Sequence, residues 1–220
     1  MESSPVPAKD TLLWVHKGQF GVQFSQVYLS NWAAGGQSNL SLLTKFDHSW
    51  NYVHETYGWD TELHLAFGLL HRPEDRVFIK TDDRIEWSTK WGYRATQTGF
   101  MTVMANFRSQ FAPGYAIENG VPNRDNLQSG WMAPGYGVIA AGVDYKNTGG
   151  NFNLFFAPFT YKATWVLDDS LSQAGAFGVE PGEAFRYELG GYLKLGWTTP
   201  IAEGITYAIR LDLFTNFIES

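Results

Sequence analysis

The run Trp59–Leu69, WDTELHLAFGL, decides how the rest of the chain reads. Trp59, Thr61, Leu63, Leu65, Phe67 and Leu69 fall on one side of an extended backbone, and Asp60, Glu62, His64, Ala66 and Gly68 on the other. Apolar and polar residues alternating with period two predict a β-strand with one face in each environment. The run is also about twice the usual strand length of about five or six residues.

The same pattern recurs along the chain. Ile85, Trp87, Thr89, Trp91 and Tyr93 oppose Arg84, Glu86, Ser88, Lys90, Gly92 and Arg94. Phe185, Tyr187, Leu189, Leu193, Leu195 and Trp197 oppose Arg186, Glu188, Gly190, Lys194 and Gly196. Ile205, Tyr207, Ile209, Leu211, Leu213 and Phe217 oppose Thr206, Ala208, Arg210, Asp212 and Asn216. Rougher versions lie near 19–29, 39–53, 100–111, 135–146 and 151–166. The expectation is about nine long strands and no helix. Pro158 marks a kink in the 151–166 strand.

Two features choose between a soluble barrel and a membrane one. The polar sides mix charges of both signs with glycine, whereas the apolar sides are rich in Trp, Tyr, Phe and Leu. An outer-membrane barrel has this arrangement, with the apolar side toward lipid and a polar lumen. Trp59, Trp87, Trp91, Tyr93, Trp165 and Trp197 fall near expected strand ends, and Trp32 in a loop, as interface aromatics do. Connections also alternate: short near 54–58, 96–99, 147–150 and 198–204, long near 30–38, 71–83, 112–133 and 167–183. Short periplasmic turns and longer extracellular loops alternate in this way, which makes the N-terminus periplasmic. The expected fold is an all-β, antiparallel, up-and-down transmembrane β-barrel.

Composition excludes several classes. The 220 residues include no cysteine, so there is no disulfide, thiolate metal site or cysteine nucleophile. A net charge of −6 without a basic stripe argues against nucleic acid. No apolar run approaches the roughly 18 residues of a membrane helix. The start, MESSPVPAKDTLLW, lacks the pattern of a signal peptide. Residues 1–17 are expected to be a periplasmic N-terminal tail and 18–220 the barrel. About nine strands is an odd number, so the final strands are expected to be missing.

Several phrases carry a family resemblance: FSQVYLSNWAAGGQSNLSL (24–42), KTDDRIEWSTKWGYRA (80–95), FRSQFAPGY (107–115) and WMAPGYGVIAAGVDYK (131–146). FFAPFTYKATWVLDDSLSQAGAFGVEPGE (155–183), RYELGGYLK (186–194) and LDLFTNF (211–217) extend it. Together they resemble an uncharacterised outer-membrane β-barrel family of Bacteroidota. The resemblance implies a Gram-negative outer-membrane location, a removed signal peptide and a longer parent of about twelve strands. It brings no established activity.

Candidate chemistry is sparse. The pairs Asp82–Asp83 and Asp168–Asp169 lie in or beside long loops and are the candidates for a hard divalent cation, although Asp also starts turns. Asp60, Glu62, His64, Arg84, Glu86, Lys90, Arg94, Arg186, Glu188, Lys194, Arg210 and Asp212 form the expected lumen charges, read as a paired network because buried charge is tolerated only when paired. His48 shares its face with neither Ser41 nor Ser49, so it makes a poor lipase-type pair. GGQSN lacks the Lys-Ser/Thr of a phosphate loop. The reading is a non-enzymatic outer-membrane protein, a narrow channel or a structural component, without cofactor. Its expected partners are membrane lipid and other outer-membrane proteins. The alternatives are an outer-membrane hydrolase or a soluble ligand-binding barrel.

Overall fold

Alternation within one strand becomes a two-faced sheet only if neighbouring strands pair in matching register. In the computed structural model, which describes residues 14–31, 35–73, 77–118 and 120–218, they do. Phe20 pairs with Phe46, Phe46 with Leu65 and Leu65 with Ile85 on one face. Asp47 pairs with His64, His64 with Glu86 and Glu86 with Arg108 on the other.

The strands are β1 (Trp14–Val27), β2 (Asn39–Val53), β3 (Tyr57–His71), β4 (Ile79–Arg94), β5 (Gly99–Ser109), β6 (Gly114–Glu118), β7 (Val121–Ser129), β8 (Gly135–Lys146), β9 (Phe152–Trp165), β10 (Phe185–Ala202) and β11 (Ile205–Asn216). A short helix, α1 (Asp169–Gln173), follows β9. Nine strands make one antiparallel sheet in the order β1-β2-β3-β4-β5-β8-β9-β10-β11, and β6 and β7 form a separate hairpin. The shortest sheet strand, β5, has 11 residues, so each of the nine reaches the ~9–11 needed to cross a bilayer.

Burial is inverted relative to a water-soluble domain. Phe20 is 68% exposed and Phe159 77%, and Val22, Phe24, Ile139, Val143 and Leu213 share the same open face. The buried apolar set is mostly alanine, and Val166 is the one large side chain that is fully buried among the described residues. In soluble domains Ile, Val, Leu and Phe fill the interior.

The polar face is concave. Lys90 on β4 crosses β5 to pair with Asp144 on β8, and its Nζ lies 5.4 Å from the Phe155 ring centre on β9, three strands away. Strands sit about 4.8 Å apart and side chains stand perpendicular to a flat sheet, so convergence over that span requires a rolled one.

Pro158 sits at a bulge, as expected. Ala141 pairs with Phe159 but Val143 with Phe156, and Gly190 pairs with Thr160 but Tyr192 with Ala157. β9 therefore carries an extra residue where proline has no N–H to donate. Gly142 lies against this bulge; a Cβ there would stand 2.0 Å from the Phe156 carbonyl oxygen.

Several expectations are corrected. The sheet is not closed among the described residues, because β1 pairs only with β2 and β11 only with β10. The nine strands alternate in direction, so β1 and β11 run the same way and their direct pairing would be parallel. The strand expected from 19 begins at Trp14, so residues 14–17 of the presumed tail are sheet. The 112–133 loop contains the β6–β7 hairpin, and the 167–183 loop contains α1 and a 3₁₀ turn at Ala176–Gly178. Short local elements of this kind have too few residues to show periodicity. Alternation of connections holds: 54–56, 95–98, 147–151 and 203–204 at one end, 28–38, 72–78, 110–134 and 166–184 at the other.

Candidate functional site

The concave face is built from one register row. Gln19, Asp47, His64, Glu86, Arg108, Tyr136, Thr164 and Arg186 stand side by side on eight successive sheet strands. Opposite charges alternate along its middle. His64 Nδ1 lies 2.6 Å from Asp47 Oδ1, and its Nε2 3.6 Å from Glu62 Oε2. Arg108 Nε is 2.8 Å from Glu86 Oε1, and Arg84 reaches both Glu86 and Asp82 at 4.0 Å. Glu62, His64, Glu86, Arg108 and Tyr136 line a groove of about 450 Å³.

The paired charges continue onto β9 and β10. Lys162 lies 3.0 Å from Glu188, which also meets Arg186 at 3.6 Å. Asp144 is buried against Lys90, and Tyr192 donates to Asp212. Phe155 packs on Ala140, Ala157, Met104 and Tyr192, so aromatic bulk occupies this part of the concavity.

Seven of the twelve expected lumen charges form ion pairs. Asp60, Arg94, Lys194, Arg210 and Asp212 have no ion-pair partner among the described residues, which corrects the expectation of a fully paired network. Asp60 stands opposite Lys90 and accepts from the Asn51 amide at 3.2 Å in the orientation that satisfies both. Asp47, Arg108, Asp144, Lys162 and Tyr192 are members that periodicity missed. Aligning the rougher strands against their neighbours, which sets Asp47 opposite His64, would have found them.

The aspartate pairs do not converge. Asp82 faces the concavity, whereas Asp83 faces the apolar side, where register sets it opposite Phe67. A charge there survives because it is fully partnered: Asp83 accepts from Phe111 N at 2.7 Å, Ala112 N at 2.9 Å and Lys80 Nζ at 2.6 Å. It anchors the 110–114 loop. Asp83→Ala should release that loop, costing about 2 kcal/mol for lost charge-assisted bonds; limited proteolysis between 110 and 134 should accelerate while the sheet's circular dichroism stays unchanged.

Asp168 caps α1, accepting from Ser170 N at 3.0 Å, Ser170 Oγ at 2.5 Å and Leu171 N at 3.1 Å. Asp169 occupies the helix's first turn, exposed. The Ser170 hydroxyl, then the Leu171 amide, hold the Asp168 carboxyl below the usual carboxylate range. A folded-state pKa below the unfolded one makes the cap's contribution complete above the ordinary value, and it disappears as pH falls through the lowered one. Asp168→Ala should cost the 166–184 loop about 1 kcal/mol near neutrality and nothing in strong acid, read as amide exchange at Leu171 and Ser172. No group of three His, Asp or Glu side chains is placed to hold a metal among the described residues.

Aromatics gather at the short-turn end. The Trp14 ring lies 4.9 Å from Tyr52 and 6.0 Å from Trp59, and Trp197 6.4 Å from Tyr207. Trp91 and Tyr93 are exposed beside the 95–98 turn. Trp165, with Phe185 at 5.8 Å and Phe107 at 6.4 Å, marks the long-loop end. Trp87 is corrected: β4 begins at Ile79, which puts it mid-strand. Trp32 lies outside the described residues.

Residues 24–115 match a family described as a protein of unknown function (DUF3078), from the second half of β1 into β6. No curated protein and no solved structure matches the chain. The matched stretch includes Asp47, His64, Glu86 and Arg108 but not the β8–β11 half of the concave face.

Proposed function

We propose that the chain forms most of the wall of an outer-membrane β-barrel enclosing a narrow, mixed-charge lumen, with the N-terminal end of β1 in the periplasm. The observation that carries this reading is the inverted burial, an exposed convex face of Phe, Leu, Ile and Val around a concave face of paired charge. A soluble ligand-binding barrel would reverse those faces. Strands long enough to cross, aromatics at both ends and alternating connections support the same reading. Antiparallel closure takes an odd number of further strands between β11 and β1.

With Phe155 and Tyr192 inside, the lumen is that of a restricted channel or a sealed scaffold. After folding into detergent, the protein should migrate differently on gels before and after boiling. In planar bilayers the closed assembly should give small conductance steps. Steps of a wide, water-filled pore would contradict the narrow lumen, and their complete absence would leave a structural role.

A further inference from the structure

The edge strand β1 is built to be paired on both sides. Among the described residues it has β2 as its one neighbour. Edges that stay open in natural sheets are blunted by shortness, proline, a bulge or a charge turned to the apolar side. β1 runs 14 residues without proline and pairs with β2 without a register shift. Its convex positions, from Trp14 through Phe20 to Gln26, include no Lys, Arg, Asp or Glu. Phe20 is exposed, whereas its partner Phe46 on β2 is half-buried, and the difference is the cover a second neighbour gives.

The concave side of this edge has a charge surplus. On the inner strands Arg84, Lys90, Arg108 and Lys162 are paired. Lys17 on β1 and Lys45 on β2 are exposed and have no ion-pair partner among the described residues. Arg94 and Lys146, also without one, lie near the Phe100 ring, and Lys194 and Arg210 repeat the surplus at the β10–β11 edge.

Lys45 has room to reach outward. Gly21 stands directly opposite it on β1, and a Cβ there would meet nothing within 4 Å. Gln19, Gly21, Gln23, Lys45 and Asp47 line a groove of about 160 Å³, whose one acid, Asp47, is held by His64 at 2.6 Å. The Lys45 ammonium can extend over Gly21 to the far side of β1, as Lys90 extends past β5 to Asp144 on β8. A second copy does not supply the partner. β1 and β11 run the same way, so copies inserted in one orientation would meet at these edges in parallel, whereas every pair in the sheet is antiparallel.

We infer that the strand closing the barrel beside β1 is antiparallel to it and carries inward carboxylates opposite Lys17 and Gly21. The carboxylate over Gly21 pairs with Lys45, a polar residue between the two acids faces Gln19, and the outward residues are apolar. Opposite charges across a strand pair stabilise it and like charges destabilise it. The inference rests on the proposed barrel for the need to close, but the edge chemistry itself does not require lipid.

The test is amide hydrogen exchange of the detergent-folded protein titrated with two synthetic strand peptides of β1 length. Both carry Leu and Val outward and Gln inward; one has Glu opposite Lys17 and Gly21, and the other has Lys at those two positions. The Glu peptide should slow exchange in residues 14–27. Lys45→Glu should weaken it roughly tenfold and shift the preference toward the Lys peptide. No protection by the Glu peptide, equal protection by both peptides, or protection confined to residues 205–216 would overturn the inference. Dimers that protect residues 14–27 without peptide would make a second copy the occupant and overturn it as well. If Lys45→Glu does not fold, Lys17→Glu should show the same change of preference, and an unchanged preference would count against the pairing. Protein that docks the Glu peptide but does not associate with lipid vesicles keeps the edge and loses the membrane. Protein that associates with vesicles but ignores the peptide keeps the membrane and loses the edge.

Discussion

Gly142→Val should abolish folding of the sheet, whereas Gly21→Val should leave it intact. At Gly142 the first added carbon would lie 2.0 Å from the Phe156 carbonyl oxygen and 2.5 Å from Ala157 Cα. Both are backbone atoms at the Pro158 bulge, paired on the other side with β10, so neither can retreat without unpairing β9. The cost should be on the order of 4 kcal/mol or more, the range reserved for overpacking and backbone disruption. A Cβ at Gly21 meets nothing within 4 Å. The readout is the fraction of protein that reaches the fast-migrating folded form in unboiled gels. A Gly142→Val chain that folds as well as Gly21→Val would mean that the β8–β9 ladder is not built as described.

The double substitution Ile139→Arg with Leu211→Arg has the second large effect, and its sign depends on the solvent. Ile139 is 56% exposed and Leu211 40%, near the middles of β8 and β11 on the convex face. In water, replacing exposed apolar side chains with arginine costs little. In a bilayer, each arginine near the midplane costs about 2–4 kcal/mol, and sites on separated strands add, giving roughly 4–8 kcal/mol. Urea titration in lipid vesicles should therefore show a severe loss of stability. Equal stability of the variant and the parent in vesicles would place the convex face in water.

How much of this was legible depended on whether parity held along each strand. It held unbroken in Trp59–Leu69, so the facing of Asp60, Glu62 and His64 follows from spacing alone. In β9 the Pro158 bulge shifts it: Phe155 and Ala157 face inward before the extra residue, and Thr160, Lys162 and Thr164 after it. Simple alternation therefore hid Lys162, although the proline flagged the place. In β4 the ladder slips between the Gly68–Asp82 and Leu69–Lys80 pairs, which turns Lys80 toward Asp83. That local pair took Asp83 out of the cation candidates. Cross-strand partners such as Asp144 for Lys90, two strands away, depend on the roll of the sheet, which no single strand encodes. The loop elements α1 and β6–β7 are set by caps and tertiary contacts such as Leu171 against Val166 and Val179.

The central claim is that the convex face is solvated by lipid. Folding the protein with lipid vesicles and floating them through a density gradient after an alkaline carbonate wash tests it directly. The predicted result is protein that floats with the vesicles, with tryptophan emission quenched by brominated acyl chains. Protein that stays at the bottom of the gradient as a folded, soluble monomer would contradict it.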